Sequence, residues 1–259
     1  MDLSHGLAGK RVVVTGAGGI IGTWLSDAFR SAGCSLCLTD TATAALEGRD
    51  LGPEGFTHAA DLLDAAAIEA LAAEVGRRWG AADVLVNNAG VYPSGFLLDV
   101  DAAEWDRILG INLRAPFLLT RALARQMVER GVKGSVINIS SGAARKMRRS
   151  VAPYCLSKTA LDRLTKGFAL ELAEYGIRVN ALEPGFAAGS ATSPLTPAHV
   201  AATAGNIPLG RGVTAGDVGR AALFLAGEAA AFVTGTALAV DGGNSIGTLA
   251  VYQDKKQAL

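Results

Sequence analysis

The chain has 259 residues, half of them apolar, and its 24 basic side chains are balanced by 24 acidic ones. A neutral, sparsely charged chain of this length supports one well-buried globule and excludes nucleic acid or an anionic membrane surface as its main partner. No apolar run is long enough to cross a bilayer and no apolar signal-peptide core opens the chain, so a cytoplasmic protein folded as one domain over residues 1–259 is expected.

Apolar runs at residues 11–15, 35–39, 56–59, 84–87, 135–140, 178–182 and 237–240 read as strands. Segments of helical period lie between them, at about residues 20–32, 65–79, 103–130, 153–175 and 215–226. Strand and helix alternating in this way imply an α/β fold. It is a doubly wound parallel sheet of about seven strands, Rossmann-like, with helices on both faces and ligands at the carboxyl ends of the strands. Residues 186–211 fit neither label, being small and turn-forming with Pro194, Pro197 and Pro208, and are read as a loop serving as a substrate lid.

The first strand runs into Gly16, Gly19 and Gly22, with Ile20 and Ile21 opening the next helix. Glycine there lets backbone N–H groups approach a pyrophosphate seated on the positive helix end, so Gly16, Gly19, Ile20 and Ile21 are expected to bind a dinucleotide. Asp40 ends the second strand, where a carboxylate accepts from both hydroxyls of an adenosine ribose and repels a 2′-phosphate. Thr41 rather than an arginine follows it, which favours NAD over NADP; the other reading of Asp40 is a cap for the next helix. Cys34, Cys37 and Cys155, an odd count, read as free thiols, and the first two as buried structural residues. His5, His58 and His199 have no carboxylate or thiol at ligand spacing, so no metal site is expected.

Farther along, Tyr154 and Lys158 lie four residues apart on one helix face, and Ser141 ends the preceding strand. A phenol loses its proton near pH 10, so a phenolate base at neutral pH needs roughly 3 units of help, about 4 kcal/mol. A neighbouring ammonium is the right kind of help. Phenol, ammonium and hydroxyl together suit moving a proton on or off an alcohol oxygen. Between serine and tyrosine lie Arg145, Lys146, Arg148 and Arg149, four cations in five residues. Turned inward, Arg148 would clamp an anionic substrate. The alternative is a solvated or subunit-facing basic patch.

In this order the residues resemble the single-domain branch of the short-chain dehydrogenase/reductase family over about residues 7–245. The resemblance also rests on Asn87, Asn88, Ala89 and Gly90 after the fourth strand, on Asp61 with Leu62, and on Asn112. Arg178, Val179 and Asn180 leading to Pro184 and Gly185, and Val240 to Gly243 at the closing strand, complete it. It implies that Tyr154 is the base in oxidation and the acid in reduction, and that Lys158 lowers its pKa and bonds the nicotinamide ribose. Ser141 would steady the substrate oxygen and Asn112 complete a water-linked proton path. Asp61, Leu62, Asn88, Gly90, Pro184, Gly185 and the Ala187 backbone, with Tyr154 and Lys158, would complete the cofactor site. Ser141, Arg148 and Tyr154 would meet the substrate.

The chain departs from the family pattern in three places. Ile20 stands where the middle glycine of TGxxxGxG belongs, so the spacing is the TGxxGxxG of the extended branch, and Gly19 is expected to give the close approach. Gly189 stands where a threonine usually bonds the carboxamide, with Ser190 and Thr192 nearby. Residues 244–259 form a tail of the kind that reaches a neighbouring subunit in some family members. The expected function is NAD-dependent oxidation of a secondary alcohol on a sugar, hydroxy acid or ring, with or without an anionic group. The alternatives are an NADPH-dependent 3-oxoacyl carrier-protein reductase and a nucleotide-binding regulator without catalysis. A homotetramer or homodimer, formed through the helices at 103–130 and 153–175, is also implied by the resemblance.

Overall fold

In the computed structural model, which describes residues 5–188, 195–247 and 249, seven strands form one parallel sheet. They are β1 (Arg11–Thr15), β2 (Ser35–Asp40), β3 (Phe56–Ala59), β4 (Val84–Asn87), β5 (Ser135–Ile139), β6 (Arg178–Pro184) and β7 (Ala237–Val240), in the order β3-β2-β1-β4-β5-β6-β7. Val12 pairs with Leu36 of β2 on one side and Val84 of β4 on the other. The chain reverses its direction of winding at β1, so the carboxyl ends of β1 and β4 open a crevice.

Helices α1 (Ile20–Ser31) and α7 (Ala215–Ala226) cover one face of the sheet, and α2 (Ala65–Trp79), α4 (Ala115–Glu129) and α5 (Ala152–Leu172) the other. Alternation along each strand divides the core between the faces. Val12 and Val14 pack with Leu25, Phe29 and Leu225, whereas Val13 packs with Leu71, Leu123 and Met127. All nine side chains are fully buried. The three cysteines are buried free thiols. Among the described residues no helix is long and apolar enough to cross a membrane, and no group of three metal-ligating side chains forms.

Two expectations need correction. The helix expected over residues 103–130 is broken into α3 (Ala102–Leu109), a π turn at Gly110–Arg114, and α4. Pro116 sits in the first turn of α4, and its ring would crowd the carbonyl of Asn112 four residues back. The wider turn relieves this, the N–H of Ala115 reaching the Gly110 carbonyl, and it carries Asn112 into the interior. The segment read as a structureless lid holds α6 (Pro197–Gly205), begun by Thr196, whose side chain accepts from the His199 N–H. Pro197 is a first-turn proline, a helix start that its neighbouring prolines obscured.

Candidate active site

The crevice begins at the glycine turn after β1. Gly16 has φ 60°, and a Cβ there would stand 2.7 Å from the Ala89 Cα. A Cβ on Gly22 would stand 2.1 Å from the Gly16 carbonyl oxygen. At Gly19 the only neighbour among the described residues would be that same oxygen at 3.5 Å. Gly19 caps α1 with no side-chain bond, which leaves the leading N–H groups, including those of Ile20 and Ile21, available to an anion. Ile20 in the middle-glycine position is accommodated half-buried, and Ile21 packs against the core. These features fit a dinucleotide phosphate.

Asp40 closes one side of the turn. Its carboxylate accepts from the Gly18 N–H at 2.9 Å and the Thr41 N–H at 2.8 Å. It caps no helix, since the following 3-10 turn starts from Ala42. Asp61 lies exposed beyond β3, accepting from the Leu63 N–H, with Leu62 buried beside it. Asn88 donates to the carbonyls of Thr15 and Gly16, both at 2.9 Å, and so stitches the end of β4 to the glycine turn. The Thr15 hydroxyl accepts from the N–H groups of Asn88 and Ala89. Asn87 turns into the sheet, donating to Asn138 and Thr120, while Asn138 donates to Thr165 of α5.

The chemical groups converge beyond β4 and β5. Ser141 follows β5, its hydroxyl accepting from the Ala143 N–H and standing near enough to the Tyr154 phenol to favour the ionised form. Lys158, one turn along α5, is almost wholly buried and donates to the Ile139 carbonyl at 2.7 Å. Its ammonium lies 5.7 Å from the Tyr154 ring centre. The Asn112 amide bonds both backbone groups of Val91 and donates to Ser157 of α5. A Cβ on Gly90 would lie 3.3 Å from Asn112 Oδ1 and 3.6 Å from Lys158 Nζ, so glycine leaves these two groups a shared space. Ser141, Tyr154, Lys158 and Asn112 are thus brought together.

Burial raises the Tyr154 phenol, against the pull of the Ser141 hydroxyl and the Arg148 charge. Burial lowers the Lys158 ammonium to about 8, while Asp162 supports its charge. Arg148 is one cation whose charge acts on the phenol, and the Lys158 ammonium stands over its ring. Tyr92 was not anticipated: its ring meets that of Tyr154 edge-on at 4.5 Å and further raises the phenol. Only its place just after the Asn88–Gly90 turn could have flagged it.

The basic run separates into different roles. Arg145 pairs with the buried Glu183 at 2.7 Å, Lys146 donates to the Asn244 carbonyl, and Arg149 lies over the Phe96 ring at 5.3 Å. Arg148 has no hydrogen-bonding partner among the described residues, and lines a small pocket with Ser141, Gly142, Pro184, Gly185 and Phe186. Gly185 is pinned by its N–H to the Val240 carbonyl, and Ala187 is half-buried beyond it. Gly189, Ser190 and Thr192, and the tail from residue 250 on, lie outside the described residues.

The sequence profile of the family described as Enoyl-(Acyl carrier protein) reductase matches residues 16–245. The chain is 37% identical to a galactitol 2-dehydrogenase (L-tagatose-forming) of Cereibacter sphaeroides, over 93% of this chain and 96% of that one. It is 35% identical to 2-(S)-hydroxypropyl-CoM dehydrogenase 3 of Xanthobacter autotrophicus, over 93% and 98%. A gluconate 5-dehydrogenase from Burkholderia cenocepacia, solved with NADP and tartrate, superposes with a TM-score of 0.85 at 32% identity, covering 93% of this chain and 96% of that one.

Proposed function

Because this chain belongs to the short-chain dehydrogenase/reductase family, whose members move hydride between alcohols and a nicotinamide dinucleotide, we propose that it oxidises a secondary alcohol of a polyol or sugar acid with NAD. The observation that carries this reading is the convergence of Ser141, Tyr154 and Lys158 beside the glycine turn, at the carboxyl ends of β1, β4 and β5. Gly16, Gly19, Ile20 and Ile21 would hold the pyrophosphate; Asp40, Asp61, Leu62, Asn88 and Gly90 the adenosine; Pro184, Gly185 and Ala187 the nicotinamide end. A nicotinamide dinucleotide bound there supplies the hydride acceptor. Ser141 orients the substrate hydroxyl toward Tyr154, which takes its proton. Lys158 bonds the cofactor ribose and holds positive charge near the phenolate, and Asn112 fixes the Val91 turn and Ser157 on either side.

NAD follows from Asp40, whose carboxylate is held in place by the Gly18 and Thr41 N–H groups and would repel a 2′-phosphate. The gluconate 5-dehydrogenase solved with NADP makes this a point to measure. The polyol or sugar-acid substrate follows from Arg148, the cation of the basic run left without a partner at the pocket, and from the galactitol and gluconate dehydrogenases the chain resembles. A spectrophotometric screen of NADH and NADPH formation across polyols and sugar acids tests both points. NADH formation on a sugar acid, with KM raised about tenfold or more in Arg148→Ala and unchanged for a neutral polyol, is the expected result. Preference for NADPH and a 3-oxoacyl thioester would instead support the 3-oxoacyl carrier-protein reductase reading.

A further inference from the structure

Glu183 is the anomaly of the sheet. It lies near the end of β6, fully buried, one residue before Pro184 and Gly185. One carboxylate oxygen pairs with Arg145 at 2.7 Å; the other, Oε1, is buried with no donor. Asp162 on α5 has the matching defect, a buried Oδ1 with no donor, and its carboxyl is within hydrogen-bonding reach of Glu183. Two acceptors in that relation satisfy each other only if one proton lies between them. Asp162 is also one turn beyond Lys158, near enough for its charge to favour the ammonium.

We propose that Asp162 and Glu183 share one proton and act as a positioning pair that keeps the Lys158 ammonium charged in the alkaline range where the Tyr154 phenolate is needed. The proposal rests on the proton-transfer roles given above to Tyr154 and Lys158. Among the described residues, three elements carry the charged groups that act on the pair. α5 supplies Lys158, β6 supplies Glu183 itself, and the loop after β5 supplies Arg145. Asp241 at the end of β7 feels Arg145, but spends its carboxylate on the Gly243 and Ser245 N–H groups.

Burial, then the neighbouring Asp162, push the Glu183 carboxyl up to about 7, against Arg145. Below that pH the pair carries one negative charge, which Arg145 offsets. Above it the shared proton leaves and the pair carries two, one in excess of Arg145. The second charge appears just below the pH at which Lys158, lowered to about 8 by burial with Asp162 already supporting it, would lose its own proton. The ammonium therefore persists, and with it the electrostatic support of the phenolate.

Glu183→Gln keeps the shape and the hydrogen bonds but removes the second charge. The acid limb of the pH profile of kcat/KM for alcohol oxidation should move up by about half a unit or more, with the plateau kept within about twofold. A limb that stays in place at a normal plateau overturns the proposal. Should this variant not fold, the infrared difference spectrum of the wild-type protein between about pH 6 and about pH 9 replaces it. A protonated-carboxyl band lost over that range, and missing in Asp162→Asn, is expected; a wild-type protein without the band overturns the pair. Absence of alcohol oxidation by the wild type would count against the dehydrogenase reading instead, and leaves the infrared test standing.

Discussion

At Tyr154, burial opposes the ionisation that alcohol oxidation requires, and the sign of that opposition can be measured. A phenol raised above its ordinary value is protonated at neutral pH, poised to give a proton to a carbonyl rather than to take one from an alcohol. Oxidation should therefore quicken as pH climbs through the alkaline range, while reduction is favoured at neutral pH; paired kcat/KM profiles check this. Tyr154→Phe should cut kcat by about a thousandfold or more while dinucleotide binding, followed by fluorescence titration, persists. The spacing of Ser141, Tyr154 and Lys158 was readable because residues four apart on a helix must share a face. The edge-on contact of Tyr92 was not, since a loop and a helix far apart in sequence meet there.

Among the elements, the β1–α1 turn is the most constrained. Its glycines were legible as a phosphate turn, but the reason for each emerges from the neighbours. Gly22→Ala would drive a methyl into the Gly16 carbonyl oxygen and the Ala17 Cα, displacing the turn rather than the sheet. It should weaken dinucleotide binding about tenfold or more with little change in far-ultraviolet circular dichroism; unaltered binding would contradict the phosphate role. The π turn at Gly110–Arg114 and helix α6 escaped the periodicity for opposite reasons. In the first, one apolar stripe continues across a local change of winding. In the second, small residues and prolines mask a short helix that its Thr196 cap and Pro197 start allow.

For the whole molecule, the proposed tetramer is argued from what α4 and α5 leave uncovered. Leu161 of α5 packs in the interior. Leu156 and Leu170 of α5 and Phe117 of α4 are exposed instead, with Phe117 leaning on Phe168 at 5.9 Å between ring centres. Sedimentation of the wild-type protein should give a tetramer, and Leu170→Glu should shift it toward smaller species; a monomeric wild type would remove the proposal.

The sequence by itself determined the doubly wound sheet and singled out the glycine turn and the residues proposed for proton transfer. Strand alternation, helical period and motif spacing are local properties that survive without knowledge of the partners. Only the tertiary structure decided which of the four cations at 145–149 remains available. Arg145 meets Glu183 38 residues away and Lys146 meets Asn244 98 residues away, and no local pattern encodes such pairings. The same holds for Glu183, whose place in an apolar strand is explained only when Arg145 and Asp162 close around it. A buried charge is tolerated through its neighbours in space, and those are set by the packing of helix on sheet.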